Sequence, residues 1–340
     1  SRWQHVLSGL QSEIELLARC AHPNLLPVLA YSVDPLAPCL VYPLARGGNF
    51  EDRLLRSPHG CGRLALLGVD TPAALPWRTR CRVLCESLRA LTYLHSLSPP
   101  VLHRDVKPSN ILLDAECHAR LADVGMAKVL APSDRSHCST GAVRGSPGFV
   151  DPLIVNAMQH STLTDGYAMA ITVLVALVAQ PAVGLKKTCK LLLRHPNDPS
   201  SWHASSGRPD ASAGSWPPSV VATLAAMVAL LTMEDEDERM DLSEALHQLE
   251  AVVDAPDDDR DEVLAAAAAE AMLPPNAPLA AEPRACIVCD DAPREVRFRC
   301  GHACCCTHCA VLVADAGSGC PICRGQTHPL LSSRGSSATF

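Results

Sequence analysis

Nine of the seventeen cysteines in this 340-residue chain fall between Cys286 and Cys323, and that crowding limits what the C-terminal part can fold into. Together with His302 they supply four pairs: Cys286 and Cys289, Cys300 and His302, Cys306 and Cys309, Cys320 and Cys323. A C-x2-C turn aims two thiolates at one ion, and four such ligands close a tetrahedral structural zinc site. Eight ligands therefore imply two zinc ions. A segment of about forty residues has too little core to fold unaided, so the metal supplies its folding free energy. Cys304 and Cys305 are surplus and Cys305-x2-His308 is a competing pair; spacing alone does not choose which pairs share an ion. The other cysteines are scattered singly or on helices. That distribution points to metal binding in a reducing compartment rather than to a disulfide framework.

A second stretch constrains the larger part. His103 to Asp114 reads His-Arg-Asp-Val-Lys-Pro-Ser-Asn-Ile-Leu-Leu-Asp and follows a helix expected from Arg78 to about Ser96, with Val83, Leu84, Leu88, Leu91 and Leu94 on one face. Phosphoryl transfer needs a carboxylate at the attacking hydroxyl and an amide oxygen on a nearby metal ion. Asp105 and Asn110 offer both, and Asp123-Val124-Gly125 follows thirteen residues past Asn110. The stretch resembles the eukaryotic protein kinase family. The resemblance implies that Asp105 orients and deprotonates the substrate hydroxyl, that Lys107 neutralises the transferred phosphate, that Asn110 holds a magnesium ion, and that Asp123 bridges metal and phosphates. Lys107, two residues after the aspartate, points to serine/threonine rather than tyrosine specificity. Val124, where the family has phenylalanine, keeps an apolar plug but shrinks it.

The same resemblance identifies Ile14, Leu16 and Leu17, closed by His22-Pro23-Asn24, as the family's regulatory helix. Glu13 is then the partner of the phosphate-anchoring lysine. No lysine precedes Lys107 in this chain. Gly47-Gly48 and Gly60-Cys61-Gly62 do not form G-x-G-x-x-G and read as turns, so the small lobe is expected to be truncated. Leu25 to Tyr31 and Pro38 to Tyr42 read as strands. Tyr42, at the gatekeeper position, and Leu44, in the hinge, are assigned to the nucleotide site, whereas Pro43 has no N–H to offer adenine. Residues 39–42 and 49–54 look most like the receptor-like, Pelle-type kinases.

Ser57 to Pro76 is rich in Gly, Pro and turn residues and is expected to be a surface insertion. Ser139 and Thr140 are candidate phosphoacceptors that would pair with Arg104. Gly145 to Phe149 resembles the substrate-positioning loop, with Ser146 in place of threonine. Asp151-Pro152-Leu153 stands where the family ends this segment in Ala/Asp-Pro-Glu. Leu153 cannot accept a salt bridge from Arg239, the position that matches the family's late arginine. Asp165 resembles the aspartate that ties the apolar helix Gly166 to Gln180 to the catalytic loop; it also reads as a helix N-cap, with Thr164 as a rival. His195 to Pro218 is expected to be a loop and Val220 to Thr232 a helix. In the last helix Asp241 caps with Glu244, and Leu242, Leu246, Leu249 and Val253 face inward.

The expected organisation is a kinase-like domain over 1–254, an Ala/Pro-rich linker over 255–285, a zinc-bound finger over 286–324 and a flexible tail over 325–340. The finger resembles the RING family, whose ligand pairs interleave. That resemblance implies Cys286, Cys289, Cys306 and Cys309 on one ion and Cys300, His302, Cys320 and Cys323 on the other. RING modules of this kind are ubiquitin ligases that hold a ubiquitin-loaded conjugating enzyme while a substrate lysine attacks, which is catalysis by positioning. Val288, Leu312 and Pro321 match the family's docking groove, and Arg324 the arginine that bonds both enzyme and ubiquitin.

The fold class is therefore α+β: a kinase-like fold with a truncated small lobe and a mainly helical large lobe, plus a small RING finger. The cofactors implied are two zinc ions, and ATP with magnesium where the kinase domain is complete. The partners implied are protein substrates, a ubiquitin-conjugating enzyme and ubiquitin. A net charge of −7 and a pI near 6.0 leave no basic stripe for nucleic acid. Ala168 to Ala179 is too short to span a bilayer, and residues 1–20 hold no apolar run like a signal peptide. A cytoplasmic protein is expected. Two functional readings follow: a kinase coupled to a ubiquitin ligase, or a pseudokinase scaffold that recruits partners to the RING.

Overall fold

The computed structural model describes residues 14, 16–34, 37–70, 72–130, 137–139, 145–157, 159–203 and 206–255, together with 296–298, 303–305, 308 and 329–331. Contacts divide the chain into two units, Ser1–Met272 and Leu273–Phe340.

In the first unit a helical turn at residues 16–19 leads into an anchor on the large lobe. Asn24 donates its side-chain amide to the Ala119 carbonyl at 3.0 Å, its carbonyl accepts the Leu121 amide at 2.7 Å, and the Leu26 amide reaches the Leu121 carbonyl at 2.9 Å. His22 stacks on Tyr93 with ring centroids 5.1 Å apart. Because residues 24–26 are engaged with Leu121, the antiparallel ribbon is shorter than the expected strands: β1 is Ala30–Ser32 and β2 is Cys39–Val41. Leu29, Tyr31, Val33 and Val41 on and beside it are exposed.

The short strand β3, Gly48–Asn49, ends in the Asn49 cap of helix α1, Phe50–Leu55, which accepts the Asp52 amide. The expected insertion is not a bare loop. Helix α2 covers Pro58–Ala65, capped by the Ser57 hydroxyl on the Gly60 amide, with proline in its first turn. Arg63 pairs with the buried Asp52 carboxylate and Leu64 is fully buried, so tertiary contacts override the two glycines inside this helix. Helix α3, Trp77–Ser96, buries its expected apolar face, then β4, Val101–Leu102, delivers the chain to the site. Strands β5, Ile111–Leu113, and β6, Ala119–Leu121, join β3 in an antiparallel sheet ordered β3-β5-β6. Strand β7, Lys128–Val129, pairs with β4.

Beyond β8, His137–Ser139, and helix α4, Pro152–Ala157, strand β9, Gln159–Ser161, pairs with β8. Helix α5, Thr162–Val178, follows and is buried along nearly its whole length, as expected of a helix that is apolar all round. Its N-cap is Ser161, with Thr164 completing the capping box; the helix starts four residues before its expected beginning, and Asp165 is released for another use. The chain continues through α6, Leu185–Thr188, α7, Lys190–Arg194, and α8, Pro199–His203. The last of these lies in the expected loop, which a fully buried arginine anchors. Arg80 bonds Asp210 at 2.6 Å, the Ala176 carbonyl at 2.8 Å and the Leu75 carbonyl at 2.9 Å.

Helix α9, Pro218–Leu231, packs on α5, and α10, Leu242–Asp254, packs on α3. Asp241 caps α10 through the Ser243 amide, while Glu244 accepts from Gln248 at 3.1 Å. Leu242, Ala245, Leu249 and Val252 form its buried face, with Leu246 and Val253 half-buried. Among the described residues no helix is long and apolar enough to cross a membrane.

In the second unit, β10, Val296–Phe298, pairs antiparallel with β11, Ala303–Cys305, and with β12, Pro329–Leu331. The stretch expected to be a tail thus contributes a strand.

Candidate functional site

The loop between β4 and β5 is built on buried polar groups. His103 is fully buried; the Asp105 amide donates to its Nδ1 at 3.3 Å, so Nε2 carries the proton that it donates to the Ala122 carbonyl at 3.1 Å. Burial holds this imidazole below its ordinary pKa, against the pull of the Asp165 carboxylate. Arg104 takes a left-handed φ of 70°, a conformation that persists in a non-glycine residue only where the surroundings hold it. Asp165 does so: its two oxygens accept the amides of His103 and Arg104, each at 2.8 Å, and His95 Nε2 lies 2.9 Å from Oδ2. Burial pushes the Asp165 carboxyl up, but the hydrogen bond and charge of His95 lead a set of favourable partners that hold it below the usual range.

The structure brings Asp105, Lys107 and Asn110 together. Lys107 Nζ lies 2.5 Å from Asp105 Oδ2 and 2.6 Å from Ser146 Oγ, and Ser146 donates to Asp105 Oδ1 at 2.8 Å. Asn110 Nδ2 donates to the Asp105 carbonyl at 2.8 Å and to Oδ2 at 3.1 Å. Burial works to raise the Asp105 carboxyl, yet these donors and the Lys107 charge hold it below its ordinary value. The carboxylate is thus ionised at neutral pH and three of its roughly four acceptor positions are engaged. One acceptor position is left open.

Asn110 closes a 3-10 turn, Pro108–Asn110, and its carbonyl accepts the Ala122 amide at 2.8 Å. Its amide oxygen stays outside the bonds made by its nitrogen. Asp123 follows β6 in a left-handed conformation and is exposed, while Val124 is buried in the core. Amide and carboxylate oxygens are the donors a hard cation such as magnesium takes, so Asn110 and Asp123 fit that ion.

Tyr42 is half-buried and Leu44 is 69% exposed. Neither lines the small cavity beside Asp105, whose walls include Arg104, Ser146, Phe149, Ile154 and His160. Ser139 lies in β8, opposite Gln159. Glu13, Thr140, all eight expected zinc ligands, Val288, Leu312, Pro321 and Arg324 lie outside the described residues.

Arg239 takes its acidic partner from a residue other than Leu153. Arg239 is not without an acidic partner: its guanidinium grips Asp151 in two-pronged fashion, Nη1 to Oδ2 at 2.5 Å and Nη2 to Oδ1 at 3.2 Å. Both side chains are buried, and Arg239 lies over the Tyr167 ring, 5.7 Å from its centroid. The carboxylate comes from two residues before Leu153. Asp151 was visible as an acidic residue in that triplet, but its reach to Arg239 was not.

A match to the protein kinase domain family covers residues 2–249. The chain belongs to the protein kinase family. A second match, to the C3HC4-type zinc finger (RING finger) family, covers residues 282–329, so this kinase-family chain carries a C-terminal RING finger. A kinase domain implies ATP and magnesium, and a RING finger implies zinc. Among its relatives, U-box domain-containing protein 52 of Arabidopsis thaliana is 32% identical over 250 residues, 71% of this chain and 27% of the relative. Wall-associated receptor kinase-like 14 of the same plant is 33% identical over 181 residues, 53% of this chain and 23% of the relative. Probable serine/threonine-protein kinase PBL28, also from Arabidopsis thaliana, is 32% identical over 176 residues, 51% of this chain and 43% of the relative. The chain thus spans less than half the length of these relatives.

Proposed function

We propose that the chain carries a serine/threonine kinase unit over 1–254, joined by the linker 255–285 to a RING ubiquitin ligase over 286–324. The observation that carries the kinase half is the closed set of bonds among Asp105, Lys107, Ser146 and Asn110. In this reading the remaining lone pair of Asp105 orients the substrate hydroxyl and receives its proton as transfer proceeds. The Lys107 ammonium, 2.5 Å from that carboxylate, offsets charge on the phosphoryl group. Magnesium, when bound by Asn110 and Asp123, neutralises the phosphates. Ser146 ties the substrate-positioning loop to the base, so the loop and Asp105 are placed together. Relatives named as serine/threonine-protein kinases support that specificity.

The RING half rests on the donor set. Seven thiolates and one imidazole suit two tetrahedral zinc sites, with the pairs interleaved as in the family. Val288, Leu312, Pro321 and Arg324 are then the surface for a ubiquitin-conjugating enzyme. A reducing, cytoplasmic setting agrees with the free cysteines among the described residues. The kinase half is tested by phosphoryl transfer from ATP to a protein substrate; Asp105→Asn should abolish it, and equal activity in that variant would sink the reading.

One observation favours a scaffold instead: Pro43 has no N–H at the hinge. Nucleotide titration separates the two. Saturable magnesium-dependent ATP binding supports the kinase, and none supports the scaffold.

A further inference from the structure

We infer that Lys187 and Lys190 are the acceptors of this chain's self-ubiquitination, the amines onto which a conjugating enzyme at the RING finger passes ubiquitin. The inference rests on the ubiquitin ligase reading and adds to it the place of modification. A ubiquitin thioester is consumed by an uncharged lysine amine, so an acceptor lysine has to present its Nζ to solvent. This chain has only five lysines: Lys107, Lys128, Lys186, Lys187 and Lys190. None follows Lys190, so the linker 255–285, the finger 286–324 and the residues after it contain no lysine. Any isopeptide bond made on a lysine of this chain therefore forms in the kinase unit.

Three of the five are held back. Lys107 Nζ is engaged by Asp105 at 2.5 Å and by Ser146 at 2.6 Å, and its side chain is 19% exposed. Lys128 is half-buried in β7, which is paired with β4. Lys186 donates to the Thr232 carbonyl at 2.7 Å and lies over the Tyr167 ring, 5.8 Å from its centroid. Lys187 and Lys190 differ. Leu185, Cys189 and Leu192 recur at helical spacing and are buried, so they seat α6 and α7 on the core. That face inward leaves Lys187 and Lys190 exposed. Their surroundings are open as well: Val183 and Leu191 are exposed, and a Cβ at Gly184 would meet nothing within 4 Å. In the transfer the lysine Nζ, having given one proton to water, attacks the thioester carbonyl. A C–N isopeptide bond forms, the C–S bond breaks, and the departing thiolate takes the second proton. Modification at this place leaves the bonds among Asp105, Lys107 and Ser146 untouched.

The zinc-loaded full chain, incubated with activating enzyme, a panel of conjugating enzymes, ubiquitin and ATP, should carry ubiquitin remnants on Lys187 and Lys190 when its peptides are read by mass spectrometry. Lys187→Arg combined with Lys190→Arg keeps both charges and removes both nucleophiles, and should lower self-ubiquitination at least about tenfold. The same double variant should discharge ubiquitin from the conjugating enzyme onto free lysine as fast as the unaltered chain, because the finger is unchanged. Lys128→Arg combined with Lys186→Arg is the matched control and should keep its self-ubiquitination. Undiminished modification of the first double variant, an equal loss in the control, or remnants chiefly on Lys107, Lys128, Lys186 or an α-amine each overturns the inference while leaving the ligase reading in place. A full chain that does not speed discharge onto free lysine with any conjugating enzyme removes the ligase reading, and the inference falls with it.

Discussion

Asp165 Oδ1 accepts the backbone amide of Arg104 at 2.8 Å, across 61 positions of sequence. The bond holds Arg104 in its left-handed conformation and so sets the direction in which Asp105 leaves the loop. Asp165→Asn keeps one acceptor oxygen for two amides, leaving one buried N–H without its partner. It should destabilise the domain by about 1–3 kcal/mol, read as a lower midpoint in urea unfolding.

Stability should fall as the solution is acidified, for two groups of residues with the same sign. His103 is held neutral below its ordinary value and His22 is also lowered, in both cases chiefly by burial, so the unfolded chain takes the proton first. Their contribution is complete above a pH of about 6.5 and is lost below it. Asp105 and Asp165 are held below the usual carboxylate range; their contribution is complete above about pH 4 and is lost as pH falls further. Urea midpoints measured from pH 8 to 4 should be flat at first and then decline from about pH 6.5, with His103→Gln flattening part of that decline.

Ser146 both accepts from Lys107 and donates to Asp105, so the hydroxyl is the needed group. Ser146→Thr should be tolerated, whereas Ser146→Ala should lower single-turnover phosphoryl transfer about tenfold without changing ATP binding. Equal rates for alanine and serine would count against the shared placement of loop and base.

Gly48 has φ 77°, and a Cβ there would lie within the packed Leu64 side chain of α2. Gly48→Ala should cost about 1–3 kcal/mol from overcrowding and backbone strain together. Gly214 also has a positive φ but faces open space, so Gly214→Ala should cost less. Thermal melts of the two variants compare them directly.

Removing zinc should unfold the C-terminal unit and leave the kinase domain intact, because a finger of about forty residues is too short to fold on its apolar side chains alone. Chelation of the full chain should release two zinc ions per molecule and abolish self-ubiquitination, while the thermal transition of the larger unit stays in place. Arg324→Ala should weaken self-ubiquitination without releasing metal.

Much of this molecule is legible before any coordinates. The apolar spacing in α3, the continuous apolar run of α5 and the Asp241 cap of α10 are local signals, and they appear as helices near their expected bounds. The motif around Asp105 is local as well: Lys107 and Asn110 are close in sequence, and the turn between them brings them to one carboxylate. Other elements were not legible. Ser57 to Ala65 reads as a turn-rich insertion because Gly60 and Gly62 weaken a helix, and only packing against Asp52 and burial of Leu64 reverse that preference. The N-cap of α5 is Ser161 and not Asp165 or Thr164, whereas the tie of Asp165 to the backbone of His103 and Arg104 is the one its resemblance implied.

The amino-acid sequence by itself determined which chemistry the chain can carry: a carboxylate, an ammonium and an amide at kinase spacing, and eight soft ligands in four pairs. Those are short-range patterns, and chain connectivity alone brings such residues near each other. Only the tertiary structure decided that Arg239 pairs with Asp151, 88 positions away, and that Ser146 closes on Asp105 from 41 positions off. A buried charge takes whichever opposite charge the packed helices place within reach, and that distance is set by the fold and not by position along the chain.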